Sequence, residues 1–125
     1  MLVYQFRLMN IQIQEEENYT LVKLEGGNCE AKTIAEIRSK MGEGHAYTII
    51  DFEYISEFPD EFMIELSDWN VELEKEKKLM IAAALNSNRI ELFDSYGITG
   101  IPTVDESVDF IFMDQLEKEL GEELE

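Results

Sequence analysis

Between Ile55 and Glu61 the sequence reads ISEFPDE, which sets one hydroxyl, one aromatic ring and three carboxylates within seven residues. Such a set has three chemical uses. Ser56 offers a phosphorylatable hydroxyl, Glu57, Asp60 and Glu61 offer an acid pair or cation ligands, and Phe58 offers an anchor for a partner. Each residue also has a purely structural use. A serine caps or turns the chain, acids at a helix N-terminus offset its dipole, and Phe58 can staple the loop to the core. Neither a reactive thiol nor a nucleophile–base pair stands in this stretch, so the corner is built for contact rather than catalysis.

The other reactive side chains are isolated. Cys29 is the single cysteine, flanked by Asn28 and Glu30 with no cation beside it, so an unreactive thiol is expected and no intrachain disulfide can form. His45 is the single histidine and belongs to no recognisable Ser- or Cys-based triad. Asp105, Glu106 and Asp109 lack the spacing and the glycine of a calcium loop and read as a helix-capping group. Trp69 falls on an apolar helical face and reads as core. The sequence therefore predicts no catalytic residue, no metal site and no cofactor.

Twenty-eight acids against 10 bases give a formal net charge of -18. That charge disfavours nucleic acid and anionic membrane, because phosphate binding draws on clustered Lys and Arg. It fits a well-solvated surface, a basic partner surface or a salt-adapted host. With 45% hydrophobic residues over 125 positions, the chain is expected to fold as one domain, 1–125, around a single core. The start of the chain alternates apolar and polar residues and has no signal-like run, so a cytoplasmic location is expected.

The elements that must position the corner follow from periodicity. Tyr4, Phe6 and Leu8 alternate, and Met9, Ile11 and Ile13 continue in the opposite phase, which predicts a bulge or two strand segments. Glu15 to Asn18 makes a turn and Tyr19 to Leu24 the second arm of a hairpin. Ile34, Ile37 and Met41 predict a helix that starts near Asn28 or Glu30 and stops at Gly42. Ala46 to Phe52 predicts a strand, and Pro59 the first turn of a helix buried along Phe62, Leu66, Trp69 and Leu73. Leu79 to Leu85 is apolar throughout, as in a strand covered on both faces. A short helix capped by Asn86 or Ser87 and closed by Gly97 follows. Thr103 and Val104 suggest a last strand, and Asp105 opens a helix striped by Val108, Ile111, Phe112, Leu116 and Leu120 that ends at Gly121. Strands joined by helices should be parallel.

Two families are similar to this chain. Ile50-Asp51-Phe52, Pro59 and the run Tyr96 to Val104 resemble the strand, active-site proline and cis-proline loop of thioredoxin. Glu57 and Asp60 stand where that family's two cysteines would be, and neither can exchange a disulfide. A cysteine-less thioredoxin-like protein is thus the weakest reading.

The second resemblance runs from Ile11 to Leu120. YTLVKLEGG (Tyr19 to Gly27), EAKTIAEIR (Glu30 to Arg38), Thr48 to Ile55, Leu79 to Ile98 and VDESVDFI (Val104 to Ile111) resemble, in order, the elements of a STAS domain, the family of anti-sigma factor antagonists. The resemblance implies an α/β fold, a STAS-like mixed β-sheet with an N-terminal hairpin and about four α-helices packed mainly on one face. It implies a non-enzymatic protein-binding domain in bacterial signal transduction, whose partner is an anti-sigma factor that is also an ATP-binding kinase. That kinase phosphorylates a Ser or Thr in the loop before the second helix. The family pattern there is Asp-Ser-Ser-Gly, and this chain has Ser56, Glu57, Phe58 and Pro59. Glu57 or Phe58 occupies the acceptor's place, and Ser56 falls at the family's Asp. Ser56 is then a displaced candidate phosphorylation site, Glu57 a fixed negative charge, and the usual serine switch is not expected. The implied contact surface is Ser56, Glu57, Phe58, Asp60 and Glu61, with Asn28 and Glu30 beside it. A constitutive adaptor subunit of a transporter or larger signalling assembly, and a weak homodimer, are further expectations.

Overall fold

The structure, a computed structural model, describes residues 9–123. The strand expected over Tyr4, Phe6 and Leu8, with its change of phase before Met9, lies outside the described residues. Strand β1 (Asn10–Glu15) and β2 (Thr20–Glu25) form the hairpin, with Ile11 opposite Leu24 and Ile13 opposite Val22. Helix α1 (Ala31–Met41), β3 (Tyr47–Asp51), α2 (Asp60–Lys75), β4 (Leu79–Ala83), α3 (Ser87–Ser95), β5 (Thr99–Ile101) and α4 (Val104–Glu123) follow. The sheet order is β1-β2-β3-β4-β5, antiparallel for the first pair and parallel for the rest.

This order explains where the helices lie. Each parallel strand is laid down beside the last in the same direction, so right-handed crossovers put α1, α2 and α3 on one face. There Ile34 and Ile37 of α1, Phe62, Met63, Leu66, Trp69 and Leu73 of α2 and Phe93 of α3 enclose Val22, Leu24, Ile50, Met80 and Ala82. Helix α4 lies on the opposite face, where Ile111 packs among Leu21, Tyr47, Ile49, Ile81 and Ala83. Alternate residues of β3 and β4 thus enter different cores, and both strands read as unbroken apolar runs. No helix of the described residues is long and apolar enough to cross a membrane.

Three boundaries differ from the sequence reading. The last strand is Thr99–Ile101, not Thr103–Val104. Thr103 instead caps α4, its Oγ1 accepting from the Glu106 N–H at 3.0 Å, and its carbonyl accepting from the Ser107 hydroxyl at 2.8 Å. Gly100 lets β5 run close to α3, because a Cβ there would stand 3.1 Å from Leu85 Cδ1 and 3.4 Å from Ile90 Cα. Pro59 is the N-cap of α2 rather than its first helical residue. Helix α4 passes through Gly121, and its apolar residues divide between two faces. Val104, Val108 and Ile111 meet the sheet, whereas Phe112, Leu116 and Leu120 are exposed. A five-residue strand is about 17 Å long and a 20-residue helix about 30 Å, so α4 outruns the surface that could bury it.

Candidate functional site

The corner between β3 and α2 opens at the carboxyl end of the parallel strands. Asp51 ends β3, and its Oδ1 accepts from the Glu53 N–H at 2.9 Å, which starts the turn. The Ile55 N–H closes that turn on the Phe52 carbonyl at 3.0 Å. Phe52 and Ile55 are buried and pin both ends of the turn, while Glu53 and Tyr54 project to solvent. Ser56 and Glu57 follow, both exposed. Phe58 turns back inward. Its ring centroid lies 5.3 Å from Phe52 and 5.0 Å from Phe93, both edge-on. Asp60 and Glu61 then stand exposed in the first turn of α2, where the helix dipole favours carboxylates.

A cation from another element secures this loop. Arg89, in the first turn of α3, donates from Nη1 to the Ile55 carbonyl and from Nη2 to the Ser56 carbonyl, each at 2.9 Å. Its guanidinium also lies 5.1 Å from the Phe58 ring centroid. Asn86 sets its position by accepting the Arg89 N–H at the cap of α3, at 2.9 Å. The acidic loop therefore rests on a single planar fork that bridges two consecutive carbonyls.

Strands β2 and β3 are neighbours, so the corner after β2 lies beside the corner after β3. Asn28, Cys29, Tyr54, Ser56 and Glu57 line one small cleft of about 40 Å³. Asn28 thus meets the loop. Glu30 does not line that cleft. It caps α1, its N–H donating to Thr33 Oγ1 at 2.9 Å, and its carboxylate lies 3.5 Å from Lys32. Cys29 forms the floor, and burial pushes its thiol up to about 12, which keeps it protonated and unreactive. Among the described residues, no group of three or more His, Cys, Asp or Glu side chains could hold a metal ion.

No protein-family model and no curated protein matches the sequence. Among solved structures, the chain is similar to the anti-sigma factor antagonist SpoIIAA in its unphosphorylated form. The TM-score is 0.62, with 16% identity over 86% of this chain and 98% of that one. The fold is the STAS fold.

Two residues of the STAS corner escaped the sequence reading. Tyr54, 63% exposed, is the aromatic that the loop presents outward, beside Ser56 and Glu57. Its signal was present, since a ring between Glu53 and Glu57 must face either core or solvent, but the alternation around it favoured neither. Arg89 left no signal, because its partners are backbone carbonyls 33 and 34 residues away.

Proposed function

We propose that this chain is a non-enzymatic binding domain of bacterial signal transduction, and that its β3–α2 corner engages an anti-sigma factor with kinase activity. The observation that carries this reading is a rigidly held acidic corner on a STAS fold. Arg89 fastens the backbone of Ile55 and Ser56, so Tyr54, Ser56 and Glu57 are presented on a backbone already ordered before binding. Asn28 extends the same surface. Asp60 and Glu61 border it from α2, and Phe58 shapes it from beneath.

The resting charge of the loop supports binding without the usual serine switch. A phosphate acts by adding nearly two charges to a neutral site. Here Glu57 already places a carboxylate beside Ser56, which supports a single standing partner-binding state. The solved relative named above was captured unphosphorylated, which marks a protein that also has a phosphorylated form. The proposed difference in this chain is that Glu57 replaces that alternation.

Affinity capture from the host's cytoplasm tests the reading, with wild type, Ser56→Ala, Glu57→Lys and Tyr54→Ala as baits. The expected result is an ATP-binding anti-sigma kinase that is retained by wild type and Ser56→Ala and lost with Glu57→Lys and Tyr54→Ala. Capture of a kinase that phosphorylates Ser56 and dissociates when it does would overturn the fixed-charge reading. Retention of one stoichiometric complex by all four baits, indifferent to ATP, would place the contact elsewhere and favour a constitutive adaptor.

A further inference from the structure

On the side of the sheet opposite the three helices, α4 presents a second surface. Phe112, Met113, Leu116 and Leu120 are 50%, 58%, 49% and 49% exposed. At about 100° per residue these four fall within an arc of about 100°, along about 12 Å of helix. Isolated exposed apolar residues are ordinary, but a continuous stripe of four on one helix is a contact surface. Nothing among the described residues packs over it.

Charge identifies what fits there. Helix α4 carries eight acids and one base, and that base, Lys118, is held by Asp114 at 2.9 Å. Helical rotation puts Glu119 along one flank of the stripe and Glu117 along the other. Asp109 continues its line toward the N-terminus. A second copy of the chain would set these same acids against one another, on two bodies of net charge -18 each. An apolar helix edged with lysine or arginine would instead match the stripe and pair both flanks. Met113 adds a flexible, polarisable side chain that adapts to a partner's shape.

We propose that the outer face of α4 is a docking surface for a cationic amphipathic helix of a partner protein. The surface is separate from the β3–α2 corner and does not depend on the function proposed for it.

The test uses the full 125-residue chain and a fluorescein-labelled 18-residue amphipathic peptide with Leu at i, i+3, i+4 and i+7 spacing and Lys elsewhere, read by anisotropy in 0.3 M NaCl. That salt screens non-specific attraction between a cationic peptide and an acidic protein. The expected result is saturable 1:1 binding. The Leu116→Ser/Leu120→Ser variant should weaken it at least tenfold, and Glu117→Lys/Glu119→Lys similarly, with the circular dichroism spectrum and a cooperative thermal transition retained in both. The same peptide with Glu in place of Lys should not bind. Equal binding to wild type and to the Leu→Ser variant would overturn the proposal. So would sedimentation of the free chain as a dimer that the Leu→Ser variant dissociates, because a second copy would then be the occupant. A tenfold gain in binding on removal of residues 1–8 would also overturn it, by making the chain's own start the natural occupant.

Discussion

Arg89→Met is the perturbation that most directly probes how the corner is held. Methionine keeps much of the aliphatic stem and removes the fork. Two charge-assisted hydrogen bonds at 2.9 Å disappear, and the Ile55 carbonyl is left beside a side chain only 5% exposed. A hydrogen bond to a charged group contributes about 1.5–3 kcal/mol. The Ser56 carbonyl is on the exposed side and recovers water, so only one of the two losses is felt fully. The contact over Phe58 adds about 0.5–1 kcal/mol at a partly exposed site. The expected cost is about 2–4 kcal/mol, which for a domain of this size lowers Tm by roughly 6–20 °C. Calorimetry measures it, and amide exchange at Ile55–Phe58 shows whether the loss is local. Arg89→Lys should recover less than half, because an ammonium cannot span both carbonyls in one plane. A Met variant within about 0.5 kcal/mol of wild type, the ordinary range for surface substitutions, with unchanged exchange in the loop, would refute the clamp.

Phe58→Ala removes a ring in edge contact with Phe52 and Phe93, and since the ring is half-buried the loss should be about 2–3 kcal/mol by denaturant titration, short of a full core truncation. The anchor of α4 should set a pH window. Tyr47 donates to Asp114 Oδ2 at 2.8 Å, and Lys118 donates to Asp114 at 2.9 Å. Burial raises the Asp114 pKa, but hydrogen bonds from Lys118 and Tyr47 outweigh it and hold the carboxyl below its ordinary value. Burial and the bond to Asp114 raise Tyr47, and the bond to Asp114 raises Lys118. Asp114 therefore stabilises the fold above about pH 4 and loses its contribution as pH falls through its lowered value. Tyr47 and Lys118 contribute below about pH 10 and lose their part as pH rises through their raised values. The Tm difference between wild type and Asp114→Asn should be widest inside that window and close below it; a constant difference would show that the triad does not titrate as described. Finally, a net charge of -18 destabilises the compact state by self-repulsion, so Tm should climb from about 0.01 M to about 0.5 M NaCl, and a flat or falling Tm would contradict this.

What was legible in the sequence follows from how local each cause is. The α2 face of Phe62, Leu66, Trp69 and Leu73 is a local periodicity and is buried as read. The run LMIAA of β4 shows a strand with two cores, because both of its faces need apolar residues. Gly97 reads as a helix terminator and adopts φ +78. Strand β5 has three residues, too few to show a period of two, and Pro102 and Thr103 after it carry the signals of a helix start. In α4 a stripe toward the sheet and a stripe toward solvent are both helical in period, so sequence alone merges them. Phe58 and Tyr54 are two rings in one loop, and only the position of Phe52 and Phe93 decides which of them goes inward.

The two surfaces of this fold differ in the kind of recognition they can support. The β3–α2 corner is polar and pinned by Ile55, Phe58 and Arg89, so a partner proposed to bind there would be selected by the position of a few charges on a fixed backbone. The stripe on α4 is apolar and carries a methionine, so the partner proposed for it would be selected by area and flanking charge and could vary in shape. The corner and helix α4 both begin at the carboxyl end of the parallel strands. Asp51 and Glu53 at the base of the corner share one cleft with Thr103 and Asp105 at the start of α4. A partner basic enough to reach both surfaces would cross that acidic cleft, whereas two separate partners would occupy the end of the sheet and the outer side of α4. Three of the chain's 28 acids, Asp51, Glu53 and Asp105, therefore stand where a bridging partner would pass, and their charge would favour a basic linker there.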